Sequence, residues 1–244
     1  WLDAIEIKCR EGGRVVSVAV VVAVGVNGDG HREILGFDVF TSETGAGWTG
    51  FLRGLVSRGL SGVRLVTSDA HEGLKDAIAS VLTGASWQRC RTHFMSNLLT
   101  RVPKASQQMV ASAVRTIFSQ PNAEAVASQH DAIVEQLDEP FPEVAEMLEE
   151  AADEVLAFAA FPFKHRRQIW SNNPQERLNK EIRRRTDVVG IFPNRKAIIR
   201  LVGALLAEQN DEWIVARRYM SLDSLEQVDQ DLSDEPEPHT KEVT

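Results

Sequence analysis

Residues 14–26 have the sequence RVVSVAVVVAVGV, the most continuous apolar stretch of this 244-residue chain. Ser17 and Gly25 interrupt the stretch, and it is shorter than the roughly 20 apolar residues that a membrane-spanning helix needs. A short apolar run that ends at turn residues is typical of a buried strand. We therefore expect a strand inside a globular domain and no membrane span.

Two further strands flank this stretch. A Gly12-Gly13 turn separates it from Leu2–Cys9, and an Asn-Gly-Asp-Gly turn at residues 27–30 separates it from Glu33–Phe40. Short apolar segments joined by such turns predict an antiparallel meander of three strands.

Helices and short strands alternate after the meander. Apolar residues recur at helical spacing over residues 48–56 and again over 74–81, and short β-rich runs occupy Val63–Ser68 and Ser86–Cys90. The predicted order is βββαβαβ, which is typical of an α/β domain. We expect one mixed five-stranded sheet with flanking helices.

The chain loses strand character beyond this point. Prolines interrupt a helical, strongly acidic segment, which predicts an all-helical insertion over residues 93–165. The main domain would then consist of residues 1–92 and the final helices at 166–221. Residues 222–244 are rich in Asp, Glu and Pro, so we expect a disordered acidic tail.

Charge is distributed unevenly behind the net value of −8. Residues 124–154 contain 11 acids and no Lys or Arg, whereas residues 155–221 contain 13 Lys or Arg and 6 acids. Because local charge governs phosphate attraction, the basic segment predicts a DNA-binding surface, with a solvated charged face as the alternative. The cations concerned are Lys164, Arg166, Arg167, Arg177, Lys180, Arg183, Arg184 and Arg185.

Cysteine usage and the first residues indicate the setting. Cys9 and Cys90 are the only cysteines, and no basic-then-apolar leader opens the sequence, so we expect a reducing, cytoplasmic environment. The chain starts at Trp1 inside a strand pattern. We therefore expect it to be part of a longer gene product with a further N-terminal domain.

Three acids occupy positions typical of a metal site. Asp3 lies within the first strand, Asp69 follows the fourth, and Glu176 opens a helix after the predicted insertion. If strands one and four are adjacent, Asp3 and Asp69 lie side by side, and carboxylates this close repel unless cations lie between them. Such ligands suit Mg²⁺ or Mn²⁺. Two ions about 3.5–4 Å apart would activate the attacking oxygen and stabilise the leaving oxygen at phosphorus.

Each acid also has a simpler interpretation. Asp3 can be a charge at a strand end, and Asp69 can cap the helix that follows it. Glu176 can close a capping box in which Asn173 is the N-cap and Pro174 the first helical residue.

The helix that carries Glu176 is amphipathic. Leu178 and Ile182 form its buried stripe, and an i,i+4 surface pair of Glu176 with Lys180 is one interpretation of the other side. A metal site that also holds a phosphodiester is the alternative interpretation. The residues predicted for the exposed face are Glu176, Asn179, Lys180 and Arg183.

Cys90 and His93 form a C-x-x-H pair at the start of a helix. Structural zinc requires four ligands; Cys9 could supply a third, and no fourth is evident. We therefore expect the pair to lie beside the acidic cluster without further ligands and without zinc. His71, two residues after Asp69, is a candidate for substrate contact.

Five motifs together resemble the Mutator-type transposases of bacterial insertion sequences, a branch of the DDE transposases. The resemblance extends from residue 1 to about residue 228. The motifs are WLDA at 1–4, VRLVTSDAHEGLKDAI at 63–78, WQRCRTHF at 87–94, WSNNPQERLNKEIRRRTDVVGIFPN at 170–194 and EQNDEWIVARRYMSL at 208–222.

The resemblance implies a ribonuclease H-like fold in which Asp3, Asp69 and Glu176 are the catalytic, metal-binding triad. It implies that Cys90 and His93 support the active site and do not hold zinc. The partners it implies are the element ends and the target DNA, bound by a homo-oligomer that is associated with the nucleoid when on DNA.

The sequence also departs from the family pattern. Relatives begin with a helical region that recognises their terminal repeats, and we expect it to precede Trp1. Arg166 stands where relatives tend to carry Trp, and Cys9 replaces an aliphatic residue. Because arginine planes can also stack on bases, Arg166 remains a candidate contact near the cleaved end.

We expect a transposase that hydrolyses a phosphodiester and then joins the freed 3′-hydroxyl to target DNA. Two alternatives remain at this point. One is a ribonuclease H-like nuclease without strand transfer, since the same metals serve water or a hydroxyl as nucleophile. The other is a truncated or domesticated relative that binds DNA without catalysis.

Overall fold

The computed structural model of the chain describes residues 1–233, with side chains through residue 228. Strands β1 (Leu2–Glu11), β2 (Arg14–Val26) and β3 (Arg32–Phe40) form an antiparallel meander. Asp3 lies opposite Val22 in the β1–β2 register. The predicted meander is therefore confirmed.

The next elements follow the predicted order βββαβαβ. They are α1 (Gly45–Ser57), β4 (Leu65–Ser68), α2 (Glu72–Val81) and β5 (Ser86–Arg89). The chain is thus a mixed α/β protein.

From residue 91 to residue 169 the chain is helical. A core that includes Val110, Val114, Ile133, Val144 and Phe158 joins these helices. The elements are α3 (Arg91–Thr100), α4 (Gln107–Phe118), α5 (Ala123–Asp138), α6 (Pro142–Glu150), α7 (Ala152–Leu156), a 3-10 turn (Ala157–Ala160) and α8 (Phe163–Ile169).

Three further helices complete the described chain. They are α9 (Asn173–Val189), α10 (Arg195–Val215) and α11 (Leu222–Ser233), with the two-residue strand β6 (Ile191–Phe192) between α9 and α10. Alternation along β2 sends Val20 and Val22 to the core shared with α9 and α10. Val21 and Ala23 instead join the core shared with α1 and α2. Helices therefore cover both faces of the meander.

Strand pairing differs from the predicted five-stranded sheet. One sheet has the order β3-β2-β1-β6, and β6 runs parallel to β1 at Lys8 and Cys9. Strands β4 and β5 form a separate parallel pair. Strand β4 lies against β1, but the two strands do not pair.

Side chains take up backbone groups where a β1–β4 ladder was expected. Trp1 and Val24 form a hydrogen-bonded pair, in which each backbone N–H donates to the other residue's carbonyl. Successive residues of an antiparallel strand point their backbone groups to opposite sides, so the Leu2 carbonyl points away from β2. The Asn172 side chain donates to this Leu2 carbonyl at 3.0 Å. The edge of β1 is thus bound at Leu2 by a buried side-chain amide, and the short strand β4 forms no hydrogen-bond ladder with β1.

The predicted disordered tail begins as helix α11. Val228 of α11 is buried in the helical core together with Met220, so an apolar contact attaches the start of this acidic segment to the core. Just before α11, the backbone N–H groups of Tyr219 and Met220 donate to the Gly30 carbonyl at 2.7 and 3.1 Å. Residues 234–244 of the predicted tail lie outside the described residues.

Helices α1 and α2 touch through two glycines at their N-terminal ends. A Cβ on Gly73 would lie 2.7 Å from the backbone nitrogen of Gly45, closer than a side chain tolerates. The pair thus lets the two backbones meet next to the loop that carries Asp69.

Within residues 1–233, no helix is both long and apolar enough to cross a membrane.

Candidate active site

Asp3 occupies a partly buried position on β1, and both of its carboxylate oxygens have donors. The Ala4 N–H donates to Oδ1 at 2.9 Å, and Nδ2 of Asn179 donates to Oδ2 at 2.6 Å. Burial raises the pKa of Asp3 to about 6, against the opposing effect of the Ala4 N–H. The charges of Asp69 and Glu176 also raise this pKa, so both acids lie within electrostatic reach of Asp3.

Asp69 follows β4 and contacts a histidine from the next helix. Its Oδ1 pairs with Nδ1 of His93. One carboxylate oxygen of Asp69, one ring nitrogen of His93 and the Cys90 sulfur all lie within 4.8 Å of one another. The close approach of Asp69, and after it that of Cys90, raises the pKa of His93 to about 11, against an opposing effect of burial. When its ring is protonated, His93 forms an ion pair with the Asp69 carboxylate.

The Cys90–His93 pair was expected beside the acidic cluster without a third ligand, and Asp69 of that cluster comes close enough to be one. Cys9 does not join the pair, because it is fully buried in the sheet core and its thiol donates to Glu11 at 3.8 Å. Asp69 takes the third position, and among the side chains described, those of residues 1–228, no further Cys, His, Asp or Glu joins the cluster.

The simpler interpretations of Asp69 and Glu176 do not fit the local geometry. His71 caps α2, with its Nδ1 accepting from the Leu74 N–H at 3.3 Å, so Asp69 is not the cap. This bond also occupies the ring nitrogen of the residue predicted to contact substrate.

The capping box predicted for Glu176 does not form either. The N-cap of α9 is Asn172, one residue earlier than predicted, and its side chain bonds to Leu2 instead of to the helix. The Glu176 N–H donates to the Asn172 carbonyl at 2.8 Å. The Glu176 side chain is therefore not required for helix capping.

Asn179 is buried on α9, although it was predicted on the exposed face of this helix. It is 7% exposed, while Glu176 is half-buried and Lys180 is exposed. The reason is that its amide binds the partly buried carboxylate of Asp3, a contact that hydrophobic periodicity cannot predict.

Asn179 is one of three buried amides on the α9 face that contacts the meander. We call Asn172, Gln175 and Asn179 the amide stripe. Their nitrogens donate to the Leu2 carbonyl, the Val22 carbonyl and the Asp3 carboxylate at 3.0, 2.7 and 2.6 Å. All three amide oxygens are buried without a hydrogen-bond partner. The sequence signal for the amide stripe is the spacing of its three polar residues at positions i, i+3 and i+7, which places them on one side of a helix.

The predicted cationic residues fall into two groups. Arg166 is 5% exposed, and its guanidinium donates to the backbone carbonyls of Phe161, Gln120 and Ala159 at 3.1, 3.2 and 2.9 Å. This placement removes Arg166 from the predicted DNA-binding surface, because its donors serve the fold. The exposed cations are Lys164, Arg167, Arg177, Lys180, Arg183, Arg184 and Arg185.

Two of the exposed arginines share one acid. Arg184 donates to both carboxylate oxygens of Glu181, at 2.7 and 3.0 Å, and Arg185 donates to the same residue at 3.1 Å. These bonds lower the pKa of the Glu181 carboxyl. Glu181 therefore orients both guanidinium groups along the surface of α9.

Comparison with known proteins identifies the family. The family described as "Transposase, Mutator family" matches residues 1–216. The chain belongs to the Mutator family of transposases. This agrees with the family that the sequence motifs resemble.

Curated relatives of this transposase chain carry insertion-sequence names. The transposase for IS1081 of Mycobacterium tuberculosis is 55% identical over 242 residues, which cover 99% of this chain and 58% of that protein. The transposase for IS406 of Burkholderia multivorans is 41% identical, covering 91% of this chain and 57% of the relative. The transposase for IS256 in Tn4001 of Staphylococcus aureus is 37% identical with the same coverages, 91% and 57%. The chain thus spans under two thirds of these relatives' lengths.

Proposed function

We propose that this chain is the catalytic core of a DDE-type transposase that cleaves DNA phosphodiesters and transfers the freed strand to target DNA. The observation that carries the proposal is the 2.6 Å hydrogen bond from Asn179 to the Asp3 carboxylate, because it joins β1 to the helix that also carries Glu176. The charges of Asp69 and Glu176 on the pKa of Asp3 agree with this placement. These two acids come from distant parts of the sequence, yet both raise the pKa of a carboxyl on β1. Converging like charges are costly unless a cation joins them, and such sites are characteristic of catalysis.

The residues fit a magnesium or manganese site. The proposed ligands Asp3, Asp69 and Glu176 offer only carboxylate oxygens, the donor type that both ions prefer. Divalent metal would supply Lewis-acid stabilisation of charge at the phosphorus and activation of the attacking oxygen, through one or two ions.

The surrounding residues would hold these ligands in place. Asn179 and the Ala4 N–H fix the Asp3 carboxylate, and His93 fixes that of Asp69. Hydrogen bonds and ion pairs of this kind orient ligands and limit their repulsion before substrate arrives. In this role Cys90 and His93 support the site, as the family resemblance implies.

A ribonuclease H-like arrangement is part of the same proposal. The meander β1–β3, followed by β4 against β1 and by β5 beside β4, supports it. Residues 1–92 and 166–221 would form the catalytic domain and residues 93–165 an inserted helical unit.

DNA is the proposed substrate and partner. The exposed cations of α8 and α9 would bind its phosphates near Glu176. They are Lys164, Arg167, Arg177, Lys180, Arg183, Arg184 and Arg185. Action on paired element ends as a homo-oligomer, at the nucleoid, belongs to the same proposal.

The decisive experiment combines this chain with supercoiled plasmid and pre-cleaved element ends in Mg²⁺ or Mn²⁺. We expect joined products from the wild type, and none from Asp69→Asn, which should still bind DNA. Asp76→Asn, which removes an exposed acid on α2, is the matched control and should keep activity. Nicking without joining would indicate a nuclease, and binding without cleavage would indicate a non-catalytic relative.

A further inference from the structure

Arg91, the first residue of α3, rests on an aromatic floor. Its guanidinium carbon lies 4.5 Å from the ring centre of Trp170 and 5.0 Å from that of Phe118, within the range of cation–π contact. Its backbone N–H donates to the Trp170 carbonyl at 2.8 Å. The start of α3 is thereby fixed to the ends of α4 and α8, and the half-buried guanidinium has a defined position.

Two more arginines come from the elements that supply this floor. Arg115 precedes Phe118 by three residues on α4, and Arg167 precedes Trp170 by three at the end of α8. Side chains three apart on a helix share a face, and both arginines are exposed. Burial lowers the pKa of Arg91, and the charges of Arg115 and Arg167 lower it further, so the three groups are electrostatic neighbours.

This cluster has no acid of its own. Within the described chain no carboxylate forms a salt bridge with Arg91, Arg115 or Arg167, although Arg89, two residues earlier, is paired with Glu154 at 3.6 Å. Neighbouring cations repel one another, and the half-buried position of Arg91 limits the water that can screen its charge. An anion from outside the chain would relieve this repulsion.

The chemistry of the cluster selects a phosphate. Guanidinium groups bind phosphate oxygens through paired hydrogen bonds, and stacking on rings preorganises Arg91 for this contact. Arg91 also directly follows Cys90, whose sulfur lies within 4.8 Å of one carboxylate oxygen of Asp69 and one ring nitrogen of His93. The start of α3 therefore connects the arginine cluster to the acidic cluster.

We infer that Arg91, Arg115 and Arg167 form a binding site for a backbone phosphate of DNA, near the phosphodiester at the acidic cluster. The inference rests on the proposed function and deepens it, because it adds a path for the DNA. The strand would run from the triad past the start of α3 to the ends of α4 and α8. Of the three residues, only Arg167 belongs to the basic segment predicted from the sequence. Arg91 and Arg115 lie outside it and join through the fold.

The test is a salt series of DNA binding, measured by fluorescence anisotropy with a labelled 20-base-pair duplex of arbitrary sequence. Two exposed guanidiniums are removed in the double variant Arg115→Gln/Arg167→Gln, and Arg53→Gln, on α1, controls for general charge. We expect the log–log salt slope to fall by about 1.8 in the double variant, with an affinity loss of roughly tenfold or more at 0.1 M salt. The control should lose less than about 0.3 of slope.

An unchanged slope in the double variant, with an unchanged melting temperature, would overturn the inference. So would a change in oligomeric state by sedimentation without a change in slope, because the cluster would then bind acids of a second copy. The plasmid assay with Asp69→Asn tests the proposed function separately, since that variant leaves the arginines intact. Loss of joining in Asp69→Asn together with a normal slope in the arginine variant would refute the phosphate site alone.

Discussion

The side-chain amide of Asn179 donates to the Asp3 carboxylate across 2.6 Å, and its own Oδ1 is buried without a partner. Gln175, one turn earlier on the same face, binds only the Val22 carbonyl of the backbone. The two residues share burial and amide chemistry and differ in whether they touch a proposed metal ligand. They form a matched pair for mutation.

We expect Asn179→Leu to weaken Mn²⁺ binding by about 10- to 100-fold, because residues that orient metal ligands contribute on this scale. Electron paramagnetic resonance of free Mn²⁺ measures this affinity directly, without DNA. Gln175→Leu should lower the melting temperature similarly but leave the affinity within about twofold. Equal losses in both variants would make the amide stripe a purely structural feature.

Arg166 provides a stability prediction. Arg166→Ala removes the donor to three backbone carbonyls and should lower the free energy of unfolding by about 2–4 kcal/mol in urea titrations. Arg167→Ala, its exposed neighbour, should change it by less than about 0.5 kcal/mol. If the Arg166 variant is as stable as the wild type, these carbonyl contacts do not support the fold.

The arginine run on α9 provides a binding prediction. Replacement of Arg183, Arg184 and Arg185 by Ala should weaken binding to duplex DNA of any sequence and reduce the log–log salt slope by roughly two to three. A salt titration of anisotropy measures both quantities. An unchanged slope would leave these arginines, two of them already bound to Glu181, as a solvated charged face.

His165 makes stability depend on pH. It is 3% exposed and bonds to the Ser224 hydroxyl at 2.7 Å, and burial lowers its pKa below the ordinary value of 6.5. Below pH 6.5 the unfolded chain then binds more protons than the folded chain, so this contribution lowers stability as pH falls until the folded pKa is passed. Unfolding at several pH values should show this loss in the wild type. His165→Gln should remove it, and a parallel pH dependence in both proteins would refute the assignment.

Metal analysis tests the role of Cys90 and His93. Tetrahedral zinc requires four donors, and the described chain provides three, of which Asp69 is paired with His93. We therefore expect no stoichiometric zinc in protein purified without chelators, measured by mass spectrometry. Tightly bound zinc in a 1:1 ratio, lost in Cys90→Ser, would reverse this assignment.

Local signals were sufficient to predict the early strands and helices. Glycine turns at 12–13 and 27–30 and apolar alternation define β1 to β3, and helical spacing defines α1 and α2. Asp3 and Asp69 were identifiable because each stands on, or directly after, a strand. These features depend on neighbours within a few residues.

Other features depend on tertiary contacts and could not be predicted. Strand β6 has two residues and exists only because β1 is beside it. Asn179 and Arg166 are polar residues with buried partners, which a polarity pattern assigns to the surface. The predicted single five-stranded sheet is wrong, because β4 does not pair with β1; at that edge of β1 the Asn172 side chain, just before α9, binds the Leu2 carbonyl.

The contact between Gly45 and Gly73 determines how accurately Asp69 is placed. Gly73 lies four residues after Asp69, and a methyl group there would push against the backbone of α1 at 2.7 to 2.8 Å. The two helices would have to separate, and the short loop that joins β4 to α2 would move with them. Gly73 therefore sets the distance between α1 and α2. Through the loop before α2, this distance also affects the position of the Asp69 carboxylate, which Gly73 does not contact.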